Sequence, residues 1–138
     1  MTDGTRTHPD TGETLRRAVR TRTIAYAIYA KAVAVPGWYP DGDGDAIHTG
    51  ADLAEWNAAF VQMRSDYAKR IRGVRKRLGF TQAEAGRVLG GGKRAFQKYE
   101  AGKTPPSDAA IALIELIDRH PEEVELLRKL PGRALEAA

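Results

Sequence analysis

Three side chains within five residues, Arg94, Gln97 and Lys98, have the length and donor chemistry needed to read base edges. Arginine can donate two parallel hydrogen bonds to guanine O6 and N7, and glutamine can pair with adenine N6 and N7. On a helix, Arg94 and Lys98 share a face at i, i+4 spacing. Cations around them suit phosphate contact, which positions a protein on DNA without specifying sequence. Lys93, Lys103, Arg87 and Arg75 are assigned that role, with Thr81 and Gln82 at the start of the preceding helix. Residues 68–103 hold eleven Lys/Arg against two acids, a net charge of +9, while the whole 138-residue chain carries only +4. Charge this concentrated is the footprint of a polyanionic partner. A solvated helix face can be equally basic, so the elements that hold these residues must decide.

Ile71, Val74 and Leu78 form an apolar stripe, and Gly79 is placed to end that helix. Thr81-Gln-Ala-Glu84 has the S/T-x-x-E/Q form of a capping box and opens a short helix through Leu89. Gly90-Gly91-Gly92 breaks it, and a second short helix is expected from Lys93 to about Glu100. Short helix, glycine turn and short helix on a basic background is the sequence form of a helix-turn-helix. Ala95, Phe96 and Tyr99 would hold the second helix to a core while the polar residues face outward. Ser107 caps a fourth helix with Ala110, Ile111, Leu113, Ile114 and Ile117 on its apolar side. Pro121 opens a fifth, with Val124, Leu126, Leu127 and Leu130 expected inward. The tail after Pro131 is expected to fray.

The N-terminal half reads differently. Residues 1–14 look like a loosely docked leader. Leu15 to Val35 alternates and is rich in β-branched residues, which predicts two strands of a hairpin turning near Ala27–Ala30; the alanine-rich Ala25–Ala34 stretch could instead be helical. Pro36-Gly-Trp-Tyr-Pro40 is expected to stop any regular element, and Asp41–Asp45 extends the loop. Thr49 is a candidate N-cap for a helix over about residues 50–65 that carries Leu53, Trp56, Phe60 and Met63 or Arg64 at helical spacing. The fold class is therefore α+β. A small β-hairpin-containing domain with a linker helix occupies residues 1–65, and a five-helix, Cro/repressor-like helix-turn-helix domain occupies residues 66–138.

The run Thr81 to Lys103, with its triple glycine followed by x-x-Ala-Phe-x-x-Tyr-Glu, resembles the xenobiotic-response-element type helix-turn-helix. Within that class it is similar to the MqsA-type antitoxins of bacterial type II toxin–antitoxin pairs, and Asp118-Arg-His-Pro-Glu122 extends the match. The resemblance implies base reading by the polar residue before the Ala-Phe pair and by the one two residues after it, here Arg94 and Lys98. It also implies a homodimer formed largely through the C-terminal domain, a palindromic operator on double-stranded DNA, and repression of the chain's own operon. Relatives of this kind carry a β-rich N-terminal domain with two Cys-x-x-Cys pairs around a structural zinc, a domain that can bind a cognate toxin. This chain contains no cysteine. His8–Glu13 and Pro36–Asp45 stand where those pairs would be, so no metal and no cofactor is assigned.

The absence of cysteine excludes disulfides, thiolate zinc sites and a cysteine nucleophile. Asp41, Asp43, Asp45 and Asp52 match positions 1, 3, 5 and 12 of a calcium loop, but position 6 is Ala46, so the segment is read as a solvated acidic turn. His8, His48 and His120 show no ligand spacing, and no catalytic arrangement can be assembled from spacing; no enzyme activity is expected. No run approaches eighteen apolar residues and no signal-peptide pattern opens the chain, which points to the cytoplasm rather than a membrane. The leading expectation is a sequence-specific DNA-binding regulator, an antitoxin-like autorepressor. The alternatives are a stand-alone repressor without a toxin partner, and a protein-interaction module with residual DNA binding.

Overall fold

The computed structural model describes residues 4–132. Three strands come first: β1 (Thr5–Thr7), β2 (Thr14–Tyr26) and β3 (Tyr29–Tyr39). Five α-helices follow: α1 (Ala54–Arg77), α2 (Gln82–Leu89), α3 (Ala95–Glu100), α4 (Asp108–Arg119) and α5 (Val124–Arg128), the last preceded by a 3-10 turn at Pro121–Glu123. This is the expected α+β class. The chain divides into two compact units between Gln62 and Met63.

In the sheet unit the strands are antiparallel in the order β1-β2-β3. The β2–β3 register runs from Arg16↔Tyr39 to Tyr26↔Tyr29, leaving a two-residue turn at Ala27-Ile28. Ala27 there takes φ 54°, a conformation usually given to glycine or asparagine, which explains why no Asn-Gly or Asp-Gly signal marked the turn. The helical alternative for Ala25–Ala34 is not adopted. Alternation puts Val33 and Val35 on a covered face, both buried, while Ala30, Ala32 and Ala34 stay exposed on the other.

Two expectations about this unit need correction. Part of the supposed leader is structured: Thr5–Thr7 pairs with Thr14–Arg16, and Leu15 opposite Arg6 is fully buried. The strand β3 also does not stop at Pro36. The Trp38 amide donates outward to the Ile47 carbonyl at 2.9 Å, away from β2. Pro36, two residues earlier, lies on the same outward side of the backbone, where its missing N–H removes no ladder bond.

The helical unit contradicts a third expectation. No helix ends at Ser65–Asp66; α1 runs unbroken through both residues. Neither glycine nor proline occurs in residues 54–72, and Met63, Tyr67, Ile71 and Val74 continue one buried stripe across the supposed break. The linker helix and the first helix of the DNA-binding half are therefore one element. It ends as expected: Gly79 has φ 75°, with Phe80 N–H bonded to Arg75 O and Gly79 N–H to Lys76 O, the two bonds of a Schellman motif. Thr81 and Glu84 form the capping box, each side chain bonding the other's backbone N–H at 3.1 Å. Ser107 caps α4 through the Ala110 amide, and Ile114 and Ile117 are buried. In α5, Leu126 is 60% exposed rather than inward, while Val124, Leu127 and Leu130 are half-buried. With only five residues after a 3-10 turn, α5 cannot present all of its leucines to one side. Beyond Gly132 the expected frayed tail lies outside the described residues.

Candidate nucleic-acid interface

The α2–turn–α3 segment is built on glycine. Gly90, Gly91 and Gly92 take φ of 104°, 91° and 91°, a run that residues with a Cβ rarely adopt. The carbonyl of Gly86, inside α2, accepts from the amides of both Gly90 and Gly92. A Cβ on Gly86 would lie 1.9 Å from the Gly92 carbonyl oxygen, so the turn can fold back onto α2 only because Gly86 has none. From there Ala95 and Phe96 anchor α3, at 8% and 1% exposure. Phe96 meets Tyr99 edge-on at 5.4 Å, and burial raises the Tyr99 phenol above its ordinary pKa.

The helix α3 starts later than expected. It begins at Ala95; Arg94 is the N-cap residue and Lys93 belongs to the turn. Positive φ at three successive glycines delays the first helical residue. Lys93, Arg94, Gln97, Lys98 and Lys103 are all exposed, and none of their side chains makes a hydrogen bond or ion pair among the described residues. Lys98 N–H bonds Arg94 O, so the two residues stay one helical turn apart. At the far end Gly102, with φ 71°, closes α3 by a second Schellman motif through Lys103 N–H to Lys98 O.

Two assigned phosphate contacts are engaged elsewhere. Arg75 lies with its side chain 12% exposed and donates from Nε and Nη2 to both oxygens of Glu100, at 2.7 and 2.9 Å, and from Nη1 to the Phe80 carbonyl at 2.9 Å. It is an internal clamp rather than a free cation. Its pairing with Glu100 raises its pKa further. Gln82 donates to the same carboxylate at 3.3 Å. Glu100 therefore joins α1, the start of α2 and the end of α3, a role that sequence reading missed. One signal was available: Glu100 is one of only two acids among eleven cations in residues 68–103. A shallow depression of about 400 Å³ lies over this junction, lined by Arg72, Arg75, Gln82, Gln97, Glu100 and Ala101.

Thr81 is exposed at the N-terminus of α2, where its amide and hydroxyl are used by Glu84, and that bonding, the backbone amide first, lowers the Glu84 pKa. Arg87 is half-buried on α2, and its Nε is enclosed without a hydrogen-bond partner among the described residues. Other cations of the basic block are also accounted for internally. Arg70 bridges Glu115 and Asp118, and Arg77 bridges Asp118 at 2.7 Å. Subtracting these leaves Lys69, Arg72 and Lys76 exposed on α1 and, on the turn and α3, the exposed Lys93, Arg94, Lys98 and Lys103.

The family model described as the antitoxin component of bacterial toxin–antitoxin system, MqsA, matches residues 12–128. The chain belongs to this family. A curated relative, the antitoxin MqsA of Escherichia coli (strain K12), is 44% identical over 55 residues. That match covers 40% of this chain and 42% of the relative, so the chain spans about two-fifths of the length of the relative it matches. No helix among the described residues is long and apolar enough to cross a membrane.

Proposed function

We propose that this chain is a sequence-specific DNA-binding regulator, an antitoxin-type autorepressor that binds a palindromic operator as a homodimer. The observation that carries the reading is the exposed, internally unpartnered set Lys93, Arg94, Gln97, Lys98 and Lys103 grouped on the turn and α3, beside Arg70, Arg75 and Arg77, which are paired inside the unit. The N-cap position of Arg94 supports its role, because the first residues of a recognition helix are those that reach base edges. In this reading Arg94, Gln97 and Lys98 read bases. Lys93 and Lys103 hold phosphates, together with Arg87 and the exposed Thr81 at the start of α2. The duplex spacing then sets the dimer: the two α3 helices sit about 34–36 Å apart in successive major grooves. Family membership supports a cognate toxin as partner, taken up by the sheet unit, and a cytoplasmic location; the reading includes no catalytic step.

A mobility-shift titration of the full chain against its own promoter tests the reading. The expected result is a specific complex whose affinity falls steeply with salt, since cations on phosphates release counterions. Equal binding to promoter and scrambled DNA at every salt concentration would sink it.

A further inference from the structure

We infer that the sheet unit folds without a metal ion, held by a two-part clasp: the His8 turn between β1 and β2, and the Arg17–Asp52–Trp38 cluster that joins β2, β3 and the approach to α1. A unit of roughly sixty residues buries a small core and usually leans on disulfides, metal or oligomerisation. This chain has no cysteine, so the zinc that the resemblance implies would need nitrogen and oxygen ligands. The residues at the two expected places do not fit that requirement.

At the first place His8 is the one side chain of a zinc-binding type that is buried, at 6% exposure. Its Nδ1 lone pair already accepts the amides of Asp10 at 3.0 Å and Thr11 at 3.3 Å. Thr11 takes the Glu13 amide on its hydroxyl. At the second place the buried Tyr39 phenol donates to the Val35 carbonyl at 2.7 Å, and His48 Nδ1 donates to Pro36 O at 2.8 Å. The Pro40 and Gly42 carbonyls accept from Arg20, and Asp41 faces Arg16 at the surface. Among the described residues no group of three or more His, Asp or Glu side chains is gathered to hold a metal.

Those same bonds do what a metal does, which is to tie distant backbone segments together. His8 N–H to Glu13 O and Gly12 N–H to His8 O close the β1–β2 turn around the imidazole, with Gly12 at φ 75°. Across the sheet, Arg17 of β2 makes a two-pronged pair with Asp52, which is 5% exposed and also exchanges bonds with Thr49 ahead of α1. The Arg17 and Arg6 guanidiniums lie 5.8 and 5.2 Å from the Trp38 ring centroid on β3. All three strands and the approach to α1 thus meet in one cluster.

Trp38 lies on β3 inside the sheet unit and Trp56 on the first turn of α1, within residues 1–62, so tryptophan fluorescence of the full chain follows chiefly the sheet unit. The test combines zinc content of protein from zinc-supplemented medium with fluorescence-monitored melting, with and without EDTA. The expected result is no stoichiometric zinc and a midpoint unmoved by chelator. His8→Ala should lower that midpoint by roughly 4–8 °C, the shift typical for losing one modest interaction from a domain this size. His8→Asn should recover most of the loss, since its amide oxygen can accept the same two N–H groups. One zinc per chain with a midpoint lowered by EDTA would overturn the inference. So would a His8→Ala midpoint equal to the parent's.

Discussion

The sheet unit and the helical unit are both rich in arginine, yet they place it differently. In β2, Arg16, Arg17 and Arg20 reach Asp41, Asp52 and the Pro40 and Gly42 carbonyls. In the helical unit Arg70, Arg75 and Arg77 do likewise with Glu115, Glu100 and Asp118, but the turn and α3 leave Lys93, Arg94, Lys98 and Lys103 facing solvent. Positive charge by itself therefore marks no interface. What distinguishes the candidate surface is that cations without internal partners stand there together with Gln97, on a short helix and its turn, a groove-sized element; the exposed Lys69, Arg72 and Lys76 lie instead along the long helix α1.

The sharpest way to break this contrast is to collapse the scaffold under the free cations. Phe96→Ala should cost about 3–5 kcal/mol, because a large, fully buried ring is removed from the α3 anchor; an unchanged helical circular-dichroism melt would show the anchor to lie elsewhere. Glu100→Ala should cost about 3 kcal/mol by leaving the Arg75 guanidinium enclosed and unpaired. DNA affinity should drop with it although Glu100 touches no DNA. If urea titration showed parental stability, the clamp would be decorative.

Substitutions on the exposed set should behave oppositely, sparing the fold and hurting recognition. Arg94→Ala should weaken operator binding by about 1–3 kcal/mol and relax preference at one base position. Equal losses on operator and random DNA would reassign Arg94 to phosphate. Lys103→Ala should weaken all duplexes alike and reduce the slope of log affinity against log salt by about one; an unchanged slope would remove it from the interface.

The mildest effect is on pH. Asp52 is held well below the ordinary carboxylate range, first by its bond from Arg17 and then by the Thr49 amide. A depressed folded-state pKa contributes stability above the unfolded value, about 4, and loses it as pH falls toward the folded one. Acid should therefore loosen the sheet unit progressively below about pH 4. Asp52→Asn should flatten that slope, as followed by tryptophan fluorescence; a slope identical to the parent's would place the acid sensitivity in other carboxylates.

Local signals were legible in the residues because they act over short range. The Thr81–Glu84 capping box, the Gly79 helix stop, the glycine turn and the β2–β3 hairpin all depend on neighbours a few positions apart. Features set by distant partners were not. Arg75 looked like a phosphate contact because Glu100 lies twenty-five residues on, and only the packed fold brings them together. The β1 strand was hidden because three residues carry no readable period and are defined by their pairing with Thr14–Arg16. The continuity of α1 was lost for a different reason. Ser65 and Asp66 are common at helix ends, but here a stripe of buried residues on either side of them overrides that preference.

The separation between turn and reading face has an evolutionary consequence. Gly86, Gly90, Gly91 and Gly92 are confined by geometry, and Ala95 and Phe96 by packing, whereas Arg94, Gln97 and Lys98 support nothing else in the unit. Mutation can rewrite those three positions without a stability penalty to be repaired elsewhere. Duplicate genes of this kind can therefore drift to new targets quickly, each copy insulated from its sibling by a few substitutions on one short helix.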